Sequence, residues 1–457
     1  MDAGIKTIHH DLTSGTRSCY DMTVEKLSML SSNACHTANL LLEESALLQA
    51  KTVDEKIRTG KPIGLLEGIP FGIQDVILLQ NSITTGGSAF LKNYKAPYTA
   101  TAIQKLIDAG AIPVVKEKCD SFGHGRAVEN TVFATPNEKE ISDSGSAENV
   151  AKGLTTFSIG ADAGGSIRRA AGYHKIYGLK PTYGRVSRYG MMADMSTTDC
   201  MGPIASSLED IRILINTMSG KDPHDPTTCS SPMIPENVFD DGYLPRKIVA
   251  GYYNFEILDS SIREDFLQLL ETLSDKGIKV IPLDFFDVNL IASVFYVLAM
   301  AEEASNLARL DGSVYGARAK SSSRDGYMKT RAENFTKETI SRIVGGNMAV
   351  ASGNYKDIYL KARLLRNNIV ERFNAGFKEV DVILTPVTPC AVNADTTVFN
   401  ADVACNVSTN AFTAGFSLGG LPTLTVPFFT PAGLQITSNK NQEDVILNFA
   451  HALKEML

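Results

Sequence analysis

The sequence predicts an α/β fold, a sandwich of helices around one large mixed, twisted β-sheet. Three observations carry that prediction. Short apolar runs punctuated by glycine alternate with amphipathic helical stretches along all 457 residues, as expected for strands joined by crossover helices. The runs, such as IPFGIQDVILL and FSIGAD, are apolar nearly throughout, which suits strands covered on both faces. No charged or Ser/Pro-rich linker and no fixed-period repeat divides the chain. Residues 1–457 are therefore expected to form a single domain, opened by a helical segment over 1–60.

The elements follow in order. VEKLSMLSSNACHTANLLLEESALLQAKTVDEKIRTG spaces its apolar residues as a helix does, and Gly60 fits a helix stop. IPFGIQDVILL reads as a buried strand. TATAIQKLIDAGAIPVVKEKC gives a helix, a glycine turn and a strand, and FSIGAD gives another strand. SLEDIRILINTMSG is a helix with Ser207 at its start, acids in its first turn and Gly220 at its end. KDPHDPTTCSSPMIPEN reads as a surface connection. RKIVAGYY (strand), REDFLQLLETLSDKG (helix) and IKVIPLDF (strand) come next, and then a helical region with breaks from about 290 to 377. VDVILTPVTP and LPTLTVPFF read as strands and NQEDVILNFAHALKEML as a closing helix.

Composition narrows the function classes. Hydrophobic residues make up 44% and charged residues 21%, and the net charge is −7. A mildly acidic chain without a basic run is not expected to grip nucleic acid directly, because phosphate contact needs concentrated positive charge. The seven cysteines include no CxxC pair and read as reduced thiols. MDAGIKTIHHDL has neither an apolar signal core nor transit-peptide character. No apolar run is read as reaching the roughly 18–20 residues that span a bilayer. The expectation is a soluble cytoplasmic protein with no membrane partner. No metal-ligand set and no nucleotide-binding loop is found, so no metal and no cofactor is expected.

The chemistry concentrates in FSIGADAGGSIRRAAGY, Phe157 to Tyr173. A strand ends in paired glycines, and one serine, Ser166, follows directly. Gly164 and Gly165 let the backbone turn closely and aim its N–H groups at one point. That places oxyanion donors beside a nucleophile. A tight turn whose serine caps the next helix is the alternative, and GGS recurs at Gly86 to Ser88. The segment lacks the G-x-S-x-G elbow. Of the seven histidines, His124 in SFGHGRAVEN could approach the serine, but it reads more simply as a surface or capping residue. A Ser-His-Asp hydrolase is poorly supported.

GADAGGSIRRAAGYHKIYGLKPTYGRVSRYG resembles the nucleophile segment of the amidase signature family. Within that family it resembles the A subunits of the glutamyl-tRNA(Gln)/aspartyl-tRNA(Asn) amidotransferases. GIPFGIQD, DAGAIPVVKEKCDSFGHGRAVEN, DCMGPIASSLEDIRILINTMSGKDPHD, AEEASNLARLDGSVYGAR, TKETISRIVGGNMAVASGNY and VDVILTPVTP match in order through most of the chain. The resemblance implies an amidase-signature α/β/α fold and amide hydrolysis by a Ser–cis-Ser–Lys triad. Motif matching puts the nucleophile at Ser166 and the bridging serine at Ser142, 24 positions earlier. The oxyanion donors fall on the backbone of Ala163, Gly164, Gly165 and Ser166. The implied substrate is a small amide such as glutamine, held by Tyr315 in VYGAR and Arg366 in KARLLRNN. A guanidinium pairs with a carboxylate as a planar fork. The resemblance also implies GatB/GatC-like partner subunits, the tRNA being held by a partner.

The chain departs from that pattern around the site. The family lysine position is Gln74, and a primary amide cannot take a proton at useful pH. Losing a general base costs about 10²–10⁴ in rate. The serine loop, glycine-rich in the family, reads Glu140-Ile141-Ser142-Asp143-Ser144-Gly145-Ser146. Arg169-Ala170 replaces Gln-Pro, and Asn410 stands where an acid is expected near the amide substrate. Three readings stay open. In the first, the protein is active with a substitute base, Asp143 or Asp75 being nearest. In the second, it is a non-hydrolytic paralogue kept as a scaffold or binding module. In the third, it is an acyltransferase of altered chemistry using Ser166.

Overall fold

The structure is a computed structural model. It describes residues 4–32, 37–123, 145–240, 242–244, 248–253, 255–320, 324–389, 410–427 and 433–457. Its centre is one sheet of eleven strands among the described residues. They are β1 (Ala38–Leu41), β2 (Pro70–Gln74), β3 (Ile112–Glu117), β4 (Phe157–Asp162), β5 (Tyr177–Lys180), β6 (Cys200–Ala205), β7 (Val249–Tyr252), β8 (Lys279–Pro282), β9 (Val382–Pro386), β10 (Thr423–Val426) and β11 (Leu434–Ser438). The order is β1-β3-β2-β4-β6-β5-β10-β11-β9-β7-β8. β3, β2 and β4 run parallel, as do β9, β7 and β8. The strands between them pair antiparallel. The sheet is therefore mixed, as the sequence predicts.

Alternation along β4 explains the layering. Phe157 and Ile159 join the large hydrophobic core, where Phe157 stacks on Phe71 of β2 at 5.0 Å between ring centroids. Ser158 and Gly160 face the other way, because successive strand residues point to opposite faces. On that second face Ala147 and Val150 of helix Gly145–Ala151, Ile167 and Ala171 of helix Ser166–Tyr173 and Ile204 of β6 build a smaller core. This second face carries the site.

The helices predicted from periodicity are present. Leu208–Met218 starts with the Ser207 side chain accepting from the Asp210 N–H, and it ends at Met218, two residues before Gly220. The helical region after 288 resolves into Val288–Leu307, Arg324–Asn334, Lys337–Val350 and Lys361–Gly376. The N-terminal segment expected to be helical holds helices Ile5–Thr13, Cys19–Ser31 and Glu43–Arg58, but it also contributes strand β1. One expectation is corrected. Val288–Leu307 is long and apolar enough, by length and composition, to cross a membrane. Here it is a core helix, packed against Lys337–Val350, Lys361–Gly376 and Ala411–Gly419, with Phe295 and Leu298 buried.

Candidate active site

The turn from β4 into helix Ser166–Tyr173 is clamped by a buried ion pair. The Arg168 guanidinium donates to both Asp162 oxygens, Nε to Oδ2 at 3.0 Å and Nη2 to Oδ1 at 2.9 Å. Its remaining donors reach the Thr413 carbonyl and the Ser417 hydroxyl. Both charged side chains are fully buried. Burial works against the Asp162 charge, but Arg168 outweighs it and holds the carboxyl below its ordinary range. This fork spans the Ala163–Ser166 segment and fixes both ends of the turn.

Inside the turn, Gly165 has φ +135°, a region open to glycine. A Cβ there would lie 2.5 Å from the Thr413 hydroxyl. That hydroxyl donates to the Gly164 carbonyl at 2.6 Å, which orients the peptide. Ser166 is the first residue of its helix and is partly accessible. It therefore sits at the positive end of the helix dipole, among N–H groups that the helix itself does not satisfy. Ala163, Gly164, Gly165 and Ser166 thus share one turn, as an oxyanion site requires.

Gln74 ends β2 beside this turn. Its Oε1 accepts from the Ala161 N–H at 2.6 Å, one step beyond the last β2–β4 ladder position at Ile73 and Ile159. The amide therefore acts as a strand-to-strand link. Ser142, Asp143 and His124 lie outside the described residues. Asp75 is committed to the fold. Its Oδ2 accepts from the Thr85 N–H and hydroxyl and from Asn39 Nδ2, and its Oδ1 lies 3.4 Å from Lys116 Nζ. Burial lowers the Lys116 pKa, with Asp75 opposing. As a substitute base, Asp75 is thus already occupied by structural donors.

The three expected substrate residues are placed differently. Asn410 is near the helix that Ser166 opens: its Oδ1 accepts from Arg169 Nη1 at 2.8 Å, and its Nδ2 donates to the Tyr296 hydroxyl at 2.9 Å. Arg169 lies three residues after Ser166, on the same helix face. Arg366 directs its donors inward, to the Thr197 hydroxyl and carbonyl and the Leu418 carbonyl. Burial lowers its pKa, with Glu302 opposing. Tyr315 stands in another wall, tilted on Tyr94 at 5.6 Å. The structure thus joins Ser166, the glycine turn, Gln74 and Asn410 in one place, and it puts Tyr315 and Arg366 into other contacts.

Sequence reasoning missed Glu117. It is the register partner of Gln74 on β3 and is fully buried on the site face. Its Oε1 accepts from Ser158 Oγ at 2.7 Å and Asn149 Nδ2 at 2.9 Å. Gly72 makes room for it, because a Cβ there would be 1.9 Å from Oε1. Burial raises its pKa to about 7, against the pull of Ser146, Asn149 and Ser158. The available signal was the KEK run within an otherwise apolar strand. Among the described residues, no group of three or more His, Cys, Asp or Glu side chains could hold a metal ion.

The family model described as Amidase matches residues 27–447. The A subunit of the glutamyl-tRNA(Gln) amidotransferase of Trichodesmium erythraeum is 35% identical over 487 residues, covering 99% of this chain and 98% of that protein. The crystal structure of the corresponding A subunit from Thermotoga maritima superposes with a TM-score of 0.78 at 25% identity, covering 100% of this chain and 96% of that one. A chain of a vestigial protein complex, solved for the origins of an s-triazine catabolic enzyme, superposes with a TM-score of 0.84 at 22% identity, covering 99% of this chain and 98% of that one. This last likeness concerns the fold.

Proposed function

The chain belongs to the amidase family, and on that premise we propose that it is an amidase resembling the amidotransferase A subunits, with Ser166 as its nucleophile. In this reading the Ser166 hydroxyl attacks the carbonyl carbon of a small primary amide such as glutamine. The tetrahedral oxyanion is held by N–H groups of the Ala163–Ser166 turn; the C–N bond then breaks, the amide nitrogen leaving as ammonia with the proton that Ser166 gave up, and water cleaves the acyl ester to the acid and free Ser166. Ser142 is the bridging serine. Residues 1–457 act as one unit in the cytoplasm, beside partner subunits that receive the ammonia. The observation that carries the reading is the Asp162–Arg168 clamp around a glycine turn that ends in a helix-leading serine.

A second reading, a non-hydrolytic scaffold, is favoured by one observation: Gln74 replaces the family base and spends its carbonyl on the Ala161 N–H. Intact-mass spectrometry with a fluorophosphonate probe separates the two. A single adduct on the native protein, absent in Ser166→Ala, is expected if Ser166 is nucleophilic. A folded protein that gains no adduct refutes the amidase reading and leaves the scaffold.

A further inference from the structure

Residues 193–199, the segment that leads into β6, are strapped to two helices. On helix Val288–Leu307, Asn306 Nδ2 donates to the Asp194 carbonyl at 3.0 Å and to Ser196 Oγ at 3.1 Å. Glu302 of the same helix accepts from the Thr197 N–H and hydroxyl. From helix Lys361–Gly376, Arg366 donates through Nη1 to the Thr197 hydroxyl at 2.7 Å and through Nη2 to its carbonyl at 3.1 Å. One further tie differs in kind. The Asp194 side chain is hydrogen-bonded to the side chain of Glu303, which is buried and accepts from Arg342 Nη1 at 2.6 Å. Two ionised carboxylates offer acceptors only, so a bond between them needs a proton.

We propose that the Asp194–Glu303 pair is a proton-operated latch, which fastens residues 193–199 to helix Val288–Leu307 while it holds one proton and loosens them when that proton leaves. The charges facing the pair support this. Helix Val288–Leu307 adds the Glu302 carboxylate. Helix Lys337–Val350 supplies Arg342, but that guanidinium also serves Glu338 through Nε at 2.8 Å. Within the segment, Asp199 accepts from the Asp194 and Met195 N–H groups. Arg188 is directed to the Ser196 carbonyl and Arg366 to Thr197. A second negative charge in the pair is therefore poorly compensated. Burial raises the Asp194 pKa from 3.8 to about 6, with Arg342 and the bond to Glu303 opposing and Glu302 reinforcing. The folded state thus holds this proton more tightly than the unfolded chain does. The latch contributes fully below pH 3.8 and is lost as pH rises through about 6. What it lets go includes Arg366, whose two terminal nitrogens both rest on Thr197. The inference does not depend on the amidase reading, since no part of it passes through Ser166.

The test is hydrogen–deuterium exchange of the full-length protein, followed by mass spectrometry on peptides covering 193–199 and corrected for the intrinsic pH dependence of amide exchange. Protection of these amides should fall at least about tenfold between pH 5 and pH 7, as one proton leaves a pair whose pKa is raised in the fold. Asp199, which burial and then Asp194 raise to about 8, stays mostly protonated over that range. In Asp194→Asn the side-chain amide donates to Glu303 without a titrating proton, so protection should stay within about threefold over the same range. Glu303→Gln supplies the donor from the other side and should behave alike, which keeps the test open if the first variant does not fold. Native protection that does not change between the two pH values, or a fall as large in a folded variant as in the native protein, would overturn the latch.

Discussion

Replacing Glu117 with glutamine should remove a large part of the pH dependence of stability. In the folded protein this carboxyl is fully buried and titrates near 7, against an ordinary value of 4.5. The folded state therefore holds the proton more tightly than the unfolded chain does. The stabilisation is fully present below pH 4.5 and is lost as pH rises through about 7. Each pH unit in that window corresponds to ~1.4 kcal/mol, giving about 3 kcal/mol in total. Glutamine mimics the protonated acid: its carbonyl can still accept from Ser158 and Asn149, and it does not titrate. Urea unfolding followed by circular dichroism, for both proteins at about pH 5 and pH 8, gives the relevant difference. Other buried acids such as Asp199, whose pKa burial also raises, are common to both proteins and cancel. The variant should gain about 2.5 kcal/mol on the native protein between the two pH values, since part of the effect is already spent at pH 5. A stability difference that stays constant over that range would refute the assignment of a neutral, buried Glu117.

Two further outcomes follow from the same geometry. Gln74→Lys should leave Ser166 probe labelling within about tenfold of the native rate, since the change loses the Ala161 hydrogen bond and puts an ammonium on the face that holds Glu117; a gain of about 10² or more in labelling rate would sink this. Arg168→Ala should cost about 3–5 kcal/mol in urea unfolding because it strands the buried Asp162 charge, and a loss below about 1 kcal/mol would show that the clamp is unimportant.

Part of the architecture was legible in local sequence because its signal is local. FSIGAD is strand β4 residue for residue, and SLEDIRILINTMSG carries its helix with a serine cap and first-turn acids. Apolar periodicity and capping need only neighbours along the chain. Strands β1, β5, β6 and β11 had no such signal. They are four to six residues long, and CMGPIA contains both glycine and proline, which disfavour a strand on local grounds. Pro203 pairs with Ile159 of β4, while the β5 register on this strand covers only Ile204 and Ala205, so Pro203 stands beyond that ladder. Ser166 and Gln74 could be singled out by type and order in the sequence. What each does locally could not. Whether Gln74 links strands, whether Asp75 is spent on Thr85 and Lys116, and whether Arg366 faces ligand or Thr197 all depend on which segments meet. Glu117 shows the limit best. As a letter in KEK it reads as a solvated strand end, and only the β2–β3 register and the space above Gly72 make it a buried acid beside the site. The sequence by itself determined the order of elements and the position of the glycine turn before Ser166, through interactions between near neighbours. The tertiary structure alone decided burial, charge state and hydrogen-bond partners, because these depend on contacts between residues far apart in the chain.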